Sequence, residues 1–192
     1  GFFAKQNKHV YAVNDVSFEI TRGETYGLVG ESGCGKTTTA RLLVGMYKAT
    51  KGTVLYTAEN GDAENITLFN KKELCAYREK VKYIFQDPAR SLNPRMSVYE
   101  VITAALRYSS QWKGKEDAYR RAMEIINEVG LTDSDLSRRP SEFSGGQRQR
   151  ISIARALIME PEMLICDEVV SALDVSIQGQ ILNLLTDLRE KR

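Results

Sequence analysis

The stretch GESGCGKTT, residues 30–38, is built to hold phosphate. Gly30, Gly35, Lys36 and Thr37 fill every fixed position of the pattern G-x-x-x-x-G-K-[ST]. Glycines let the backbone come close enough for successive N–H groups to point at phosphate oxygens. Gly30, Gly33 and Gly35 supply that closeness, with Ser32 and Cys34 between them. Lys36 brings a positive charge to the β- and γ-phosphates, and the Thr37 hydroxyl can ligate Mg2+. With glycine at about 7% of residues, chance produces the four fixed positions in a chain this long with a probability on the order of 1%. Cys34 occupies a free position, where a small residue is tolerated and where an alkylating reagent would block the loop.

Two acids close another segment, MLICDE at 163–168. Adjacent carboxylates at the end of a buried strand are costly unless a cation or hydrogen bonds offset them. Mg2+ is the cation this pair suits: Asp167 would act on the metal, and Glu168 would polarise an attacking water. Gln86 ends a second apolar run, VKYIFQD at 81–87. A neutral amide there could ligate Mg2+ and orient water without adding negative charge, although a Gln at a strand end is also a common surface residue. A further phosphate cradle is present in Ser144-Gly145-Gly146-Gln147, directly before an apolar-periodic helix. One short chain thus carries two cradles, and the second needs another nucleotide to serve.

The elements around these residues alternate. AVNDVSFEI at 12–20 has the alternation of a half-buried strand, Arg22-Gly23-Glu24 reads as a turn, and TYGLVG at 25–30 reads as a buried strand leading into the glycine loop. Residues 36–46 are expected to be a helix with Ala40, Leu42, Leu43 and Met46 toward the core. Strands follow at 52–56, 81–87 and 162–168, with a polar loop at Asn60-Gly61-Asp62. Helices are expected at 97–107, 116–129, 147–159 and 177–190. The second has a stripe of Ala118, Ala122, Ile125, Ile126 and Val129, and the last is apolar at Ile177, Ile181, Leu184, Leu185 and Leu188. Strands alternating with helices predict a mainly parallel α/β sheet with ligands at the strand C-terminal ends. From Pro88 to residue 143 the pattern is helical throughout, read as an insertion in that core.

Composition narrows the function classes. The 192 residues are 42% hydrophobic and 27% charged with a net charge of +2, which suits an ordinary globular domain and lacks the clustered basic surface of a nucleic-acid binder. Cys34, Cys75 and Cys166 are odd in number and form no CxxC pair, so a disulfide framework or thiolate metal site is not expected. No apolar run reaches the roughly 18–20 residues of a membrane span, and Phe2-Phe3 is too short for a signal-peptide core.

The motifs GESGCGKT, FQDP, FSGGQRQR, LICDE and SALD, in this order and at these distances, resemble an ATP-binding-cassette nucleotide-binding domain over nearly the whole chain. The resemblance implies a P-loop NTPase core of RecA-like type with a small N-terminal antiparallel β part and an inserted helical subdomain. The core would be 1–87 and 144–192, and the insertion 88–143. It also implies ATP and Mg2+ as cofactors. ATP would be held at Gly30, Ser32, Gly33, Cys34 and Gly35, with Lys36, Thr37 and Thr38 opening the helix. Thr37, Gln86 and Asp167 would face the metal, and Glu168, Lys36 and Gln86 would carry catalysis. In that family two cassettes sandwich two ATP molecules. Ser144, Gly145, Gly146 and Gln147 would therefore touch the partner's ATP, which accounts for the second cradle. Ser171, Ala172, Leu173 and Asp174 would form the D-loop at the dimer interface.

FQDPARSLNPRMSV and SALDVSIQGQILNLL resemble more narrowly the ATPases of oligopeptide, dipeptide and related nickel importers. On physical grounds most of SLNPRM reads as loop packing at the base of the insertion. Three departures from the family stand out. Val169 replaces the usual Pro after the acids, which is expected to loosen the turn slightly. The only histidine is His9, far too early for the γ-phosphate switch, so the chain resembles a fragment and slow hydrolysis is expected. The adenine-stacking aromatic would be Phe3 or Tyr11, or would lie upstream.

The resemblance implies an ATPase subunit of a peptide importer at the cytoplasmic face of a prokaryotic membrane. Its partners would be a second ATPase subunit, membrane permease subunits and, indirectly, an extracytoplasmic solute-binding protein, with no nucleic acid. The competing readings are an importer of nickel or another non-peptide solute, a soluble cassette ATPase acting on nucleic acid or ribosomes, and a catalytically silent regulatory cassette. The second would bring large insertions or basic surfaces, and Lys36, Asp167 and Glu168 argue against the third.

Overall fold

The computed structural model describes residues 11–58, 61–87, 91–171 and 173–191. Phe3, His9, Asn60, Pro88 and Ala172 fall outside the described residues. Two compact units divide the chain, Gly1–Thr67 and Leu68–Arg192.

The first unit holds helix α1 (Lys36–Leu43) and an antiparallel pair, β1 (Leu55–Thr57) with β2 (Ala63–Asn65), in the register Tyr56↔Glu64. The expected turn is present: Gly23 takes φ 76°, Glu24 N–H donates to Thr21 O at 3.1 Å, and the Glu24 carboxylate accepts Thr21 N–H at 2.9 Å. Across it Phe18 and Tyr26 stack with centroids 5.1 Å apart. The flanking segments 12–20 and 25–30 nevertheless form no ladder, contrary to expectation, and Val29 is 96% exposed. Alternation fits a segment for a sheet, but only a hydrogen-bonded neighbour makes it a strand. Helix α1 is also shorter than expected. It stops at Leu43, its buried contacts are Ala40 and the capping Val44, and Met46 lies beyond it, exposed.

The second unit begins with a helix that the sequence reading missed, α2 (Lys71–Lys80). Its signal was legible in NKKE: Asn70 accepts the N–H groups of Lys72 and Glu73, and Glu73 reaches back to the Asn70 N–H, a complete capping box. Strand β3 (Val81–Ile84) follows, then α3 (Val98–Arg107), α4 (Lys115–Glu128), α5 (Gly145–Leu157), β4 (Met163–Cys166) and α6 (Val175–Lys191). Strands β3 and β4 pair in parallel, with Tyr83↔Ile165 and Ile84↔Cys166, so the chain between them is a long helical crossover. Ser97 and Glu100 cap α3 in the same reciprocal way as Asn70 and Glu73 cap α2.

Helix α5 packs on α3, α4, β3 and α6, and puts Ile151, Ile153 and Ala154 into the core. The whole expected stripe of α4, Ala118 through Val129, is buried there with Ile102 and Leu106 of α3. On α6 only Ile181 and Leu188 are fully buried, while Ile177, Leu184 and Leu185 pack against the core from its margin. The loop before α3 also packs as expected from SLNPRM: Leu92 is 3% exposed, and Arg155 of α5 donates to Ser91 O at 2.6 Å. Burial lowers the proton affinity of that guanidinium, an expensive placement that the carbonyl bond partly offsets. Among the described residues no helix is long and apolar enough to cross a membrane.

Candidate functional site

In the first unit the glycine loop runs straight into α1. Gly35 stands at the helix N-terminus in left-handed backbone (φ 101°), and a Cβ there would lie 2.3 Å from Ala12 O. Only glycine fits both constraints. Lys36 Nζ donates to Gly30 O at 2.7 Å and to Glu31 O at 2.8 Å, and lies 3.9 Å from Cys34 Sγ. The ammonium is therefore wrapped by the loop that would hold phosphate, next to a helix N-terminus that itself favours anions. Thr37 and Thr38 follow in the first turn of α1, half-buried, and Tyr11 is 77% exposed. Cys34 is exposed, so alkylation of Cys34 should fall at least several-fold when ATP fills the loop. Mass-spectrometric labelling with and without nucleotide checks this, and equal labelling in both would place the nucleotide elsewhere.

In the second unit the parallel pair ends in the polar cluster. Asp167 follows β4 directly, its N–H donates to Ile84 O at 3.1 Å, and its carboxylate accepts the Tyr83 hydroxyl at 2.5 Å. Gln86, two residues past β3, donates through Nε2 to Glu168 Oε2 at 2.5 Å and to Ser171 Oγ at 3.4 Å. Gln86 thus meets Asp167, Glu168 and Ser171, more than eighty positions further along the chain, at one strand edge because β3 and β4 are neighbours in register.

Glu168 has left-handed backbone with φ 46°, a conformation that costs a non-glycine residue about 1–3 kcal/mol and collects at functional sites. It turns the chain sharply off the strand. The turn is tied by the Ser171 N–H and hydroxyl, both donating to Glu168 O at 3.0 Å, with Val169 buried beneath. Val169 keeps the strand exit and sits buried at this hydrogen-bonded turn. A proline at 169 would push Glu168 toward extended backbone.

The SGGQ stretch forms the N-terminus of α5. Ser144 Oγ accepts the Gln147 N–H at 3.3 Å and Gln147 Oε1 accepts the Ser144 N–H at 3.0 Å. Gly145 and Gly146 let α5 approach the start of α6: a Cβ on Gly146 would stand 2.7 Å from Ile177 Cγ2, and one on Gly145 would touch Leu173. This close packing is a demand on the glycines that sequence alone did not reveal. Asp174 is exposed, and its carbonyl accepts the N–H groups of Ile177 and Gln178 at 2.9 Å, opening α6. Tyr83 is the residue the sequence reading overlooked, because a tyrosine inside an apolar run looks like core.

Among the described residues no three His, Cys, Asp or Glu side chains gather into a group able to hold a metal ion. Within the second unit the donors at hand, the buried Asp167 carboxylate and the Gln86 amide, instead suit Mg2+ that arrives with a nucleotide and keeps phosphate oxygens and waters as its other ligands.

A family profile described as ABC transporter matches residues 13–171. The chain is 49% identical over 183 residues to the oligopeptide transport ATP-binding protein OppF of Bacillus subtilis (strain 168), covering 95% of this chain and 59% of that one. It is 46% identical over 191 residues to the putative oligopeptide transport ATP-binding protein YkfD of the same organism, at 100% and 56% coverage. The chain thus spans little more than half the length of these curated relatives. Among solved structures, the dimeric ATP-binding cassette MJ0796 in a post-hydrolysis state bound to ADP and Pi superposes with a TM-score of 0.78 at 29% identity, over 94% of this chain and 75% of that one.

Proposed function

The chain belongs to the ABC transporter family, and from that premise we propose that it is the ATP-binding and ATP-hydrolysing part of an importer subunit that drives uptake of peptides or related small solutes. The single observation that carries the ATPase reading is the strand-edge cluster in which Gln86 donates to Glu168 beside Asp167. The names of OppF and YkfD support peptides as the solute class.

In this reading the loop of Gly30, Ser32, Gly33, Cys34 and Gly35 embraces the ATP phosphates, with Lys36, Thr37 and Thr38 at its helical end. Lys36 releases the Gly30 and Glu31 carbonyls and turns its charge to the β- and γ-phosphates. Tyr11, exposed, is available to stack on adenine. Thr37, Gln86 and Asp167 would hold Mg2+, which when bound neutralises charge on the phosphates. Glu168 accepts the proton of the attacking water at its carboxylate, and the Gln86 amide, already in contact with that carboxylate, orients it without adding charge.

Ser144 to Gln147 offer a helix N-terminus to the nucleotide of a second ATPase subunit, and Asp174 lies at the same interface. Residues 88–143 form the helical subdomain that transmits closure to membrane permease subunits, and 1–87 with 144–192 form the ATP-binding core. The subunit then works peripherally at the cytoplasmic face of a prokaryotic membrane, with a solute-binding protein on the far side. ATP shifts the transporter between states by binding the closed dimer more tightly than the open one.

Sedimentation of the Glu168→Gln variant with Mg-ATP and with Mg-ADP tests the sandwich. A dimer with ATP only is expected. A monomer in both conditions, with ATP bound in the Mg-ATP sample, would refute dimer completion by Ser144–Gln147 of a second copy.

A further inference from the structure

Tyr83 lies on β3 in register with Ile165 of β4. Side chains alternate along a strand, so Ile165 and Asp167 share the sheet face that Tyr83 also occupies. The phenol runs along that face and donates to Asp167 Oδ2 at 2.5 Å. Both residues are buried, Tyr83 at 8% and Asp167 at 9% exposure. Phe85 meets the tyrosine ring edge-on, with centroids 4.8 Å apart and an interplanar angle of 62°, which limits its swing. The phenol is therefore held in place, and its bond restrains the orientation of the carboxylate.

A buried carboxylate needs a donor. A cationic donor would cancel the negative charge that draws a metal, whereas a neutral hydroxyl orients the carboxylate and leaves its charge in place. Partners of this kind, one bond behind a ligand, orient it and tune its affinity.

We propose that Tyr83 is a positioning residue that holds the Asp167 carboxylate in the orientation in which it receives the Mg2+ accompanying the nucleotide. The inference rests on the assignment of Asp167 to Mg2+ made above. Its test is binding of a fluorescent ATP analogue, titrated with Mg2+ and repeated in EDTA. The parent chain, Tyr83→Phe, Asp167→Asn and the double variant are compared.

Tyr83→Phe keeps the ring against Phe85, and is expected to raise the Mg2+ concentration for half-maximal tightening roughly ten- to a hundredfold. Binding in EDTA should not change. Added to Asp167→Asn, it should have no further effect, since the two act through one bond. An unchanged Mg2+ dependence in Tyr83→Phe, alongside a weakened one in Asp167→Asn, overturns the role of Tyr83 and leaves the metal assignment standing. Additive effects in the double variant overturn it too, as does a loss of binding in EDTA, which marks a purely structural tyrosine. No change in Asp167→Asn overturns the metal assignment itself, and Tyr83 with it.

Discussion

Replacing Glu168 with Gln is expected to slow ATP hydrolysis by about a hundred- to ten-thousandfold while ATP still binds, the usual contribution of a positioned general base. The substitution is a clean one here. Gln can adopt the same left-handed backbone as Glu168, and its side-chain oxygen still accepts the Gln86 amide, so the 168–171 turn and the strand edge keep their hydrogen bonds. What is lost is the capacity to take a proton from water. Single-turnover hydrolysis of radiolabelled ATP, with filter binding on the same samples, measures both quantities. A variant within tenfold of the parent rate would move the base to another residue. A variant that fails to bind ATP would show that Glu168 holds the site together instead of acting on water.

Replacing Lys36 with Ala is expected to weaken ATP binding by about 3 kcal/mol, roughly a hundredfold in Kd, because charge-assisted hydrogen bonds to phosphate are removed. The effect on folding should be much smaller. Lys36 Nζ bonds two carbonyls in an exposed loop, where water can replace it, so a loss of about 1 kcal/mol in stability is the expected scale. Calorimetric titration with ATP and a thermal melt of the same variant separate the two. Near-parental affinity would mean that backbone N–H groups alone carry the phosphates. A large fall in melting temperature would make Lys36 a structural clamp on Gly30 and Glu31.

The candidate site was legible to different degrees in its parts. The glycine loop and Lys36 are local: phosphate contact, glycine spacing and helix start all lie within nine residues, and the sequence pattern contains them. The SGGQ helix start was likewise readable, since Ser144 and Gln147 cap each other three positions apart. Helix α2 was readable through Asn70 and Glu73 and went unread. The strands at 12–20 and 25–30 were misread because their periodicity describes one face of a ladder and says nothing of whether a neighbour pairs with it. The second demand on Gly146, contact with Ile177 thirty-one positions later, leaves no mark in the local pattern.

By itself, then, the sequence determined whatever depends on neighbours a few residues apart: the phosphate loop, the helix caps, the apolar stripe of α4 and the order of the motifs. The tertiary structure decided what depends on parallel pairing across a long crossover. It set Gln86 against Glu168, put the Tyr83 hydroxyl on Asp167, and bent Glu168 into left-handed backbone under a turn tied by Ser171. The physical reason is range. Side-chain period and capping act over three or four residues, while the register of β3 on β4 is fixed by core packing of helices contributed from between them, and no local pattern encodes that register.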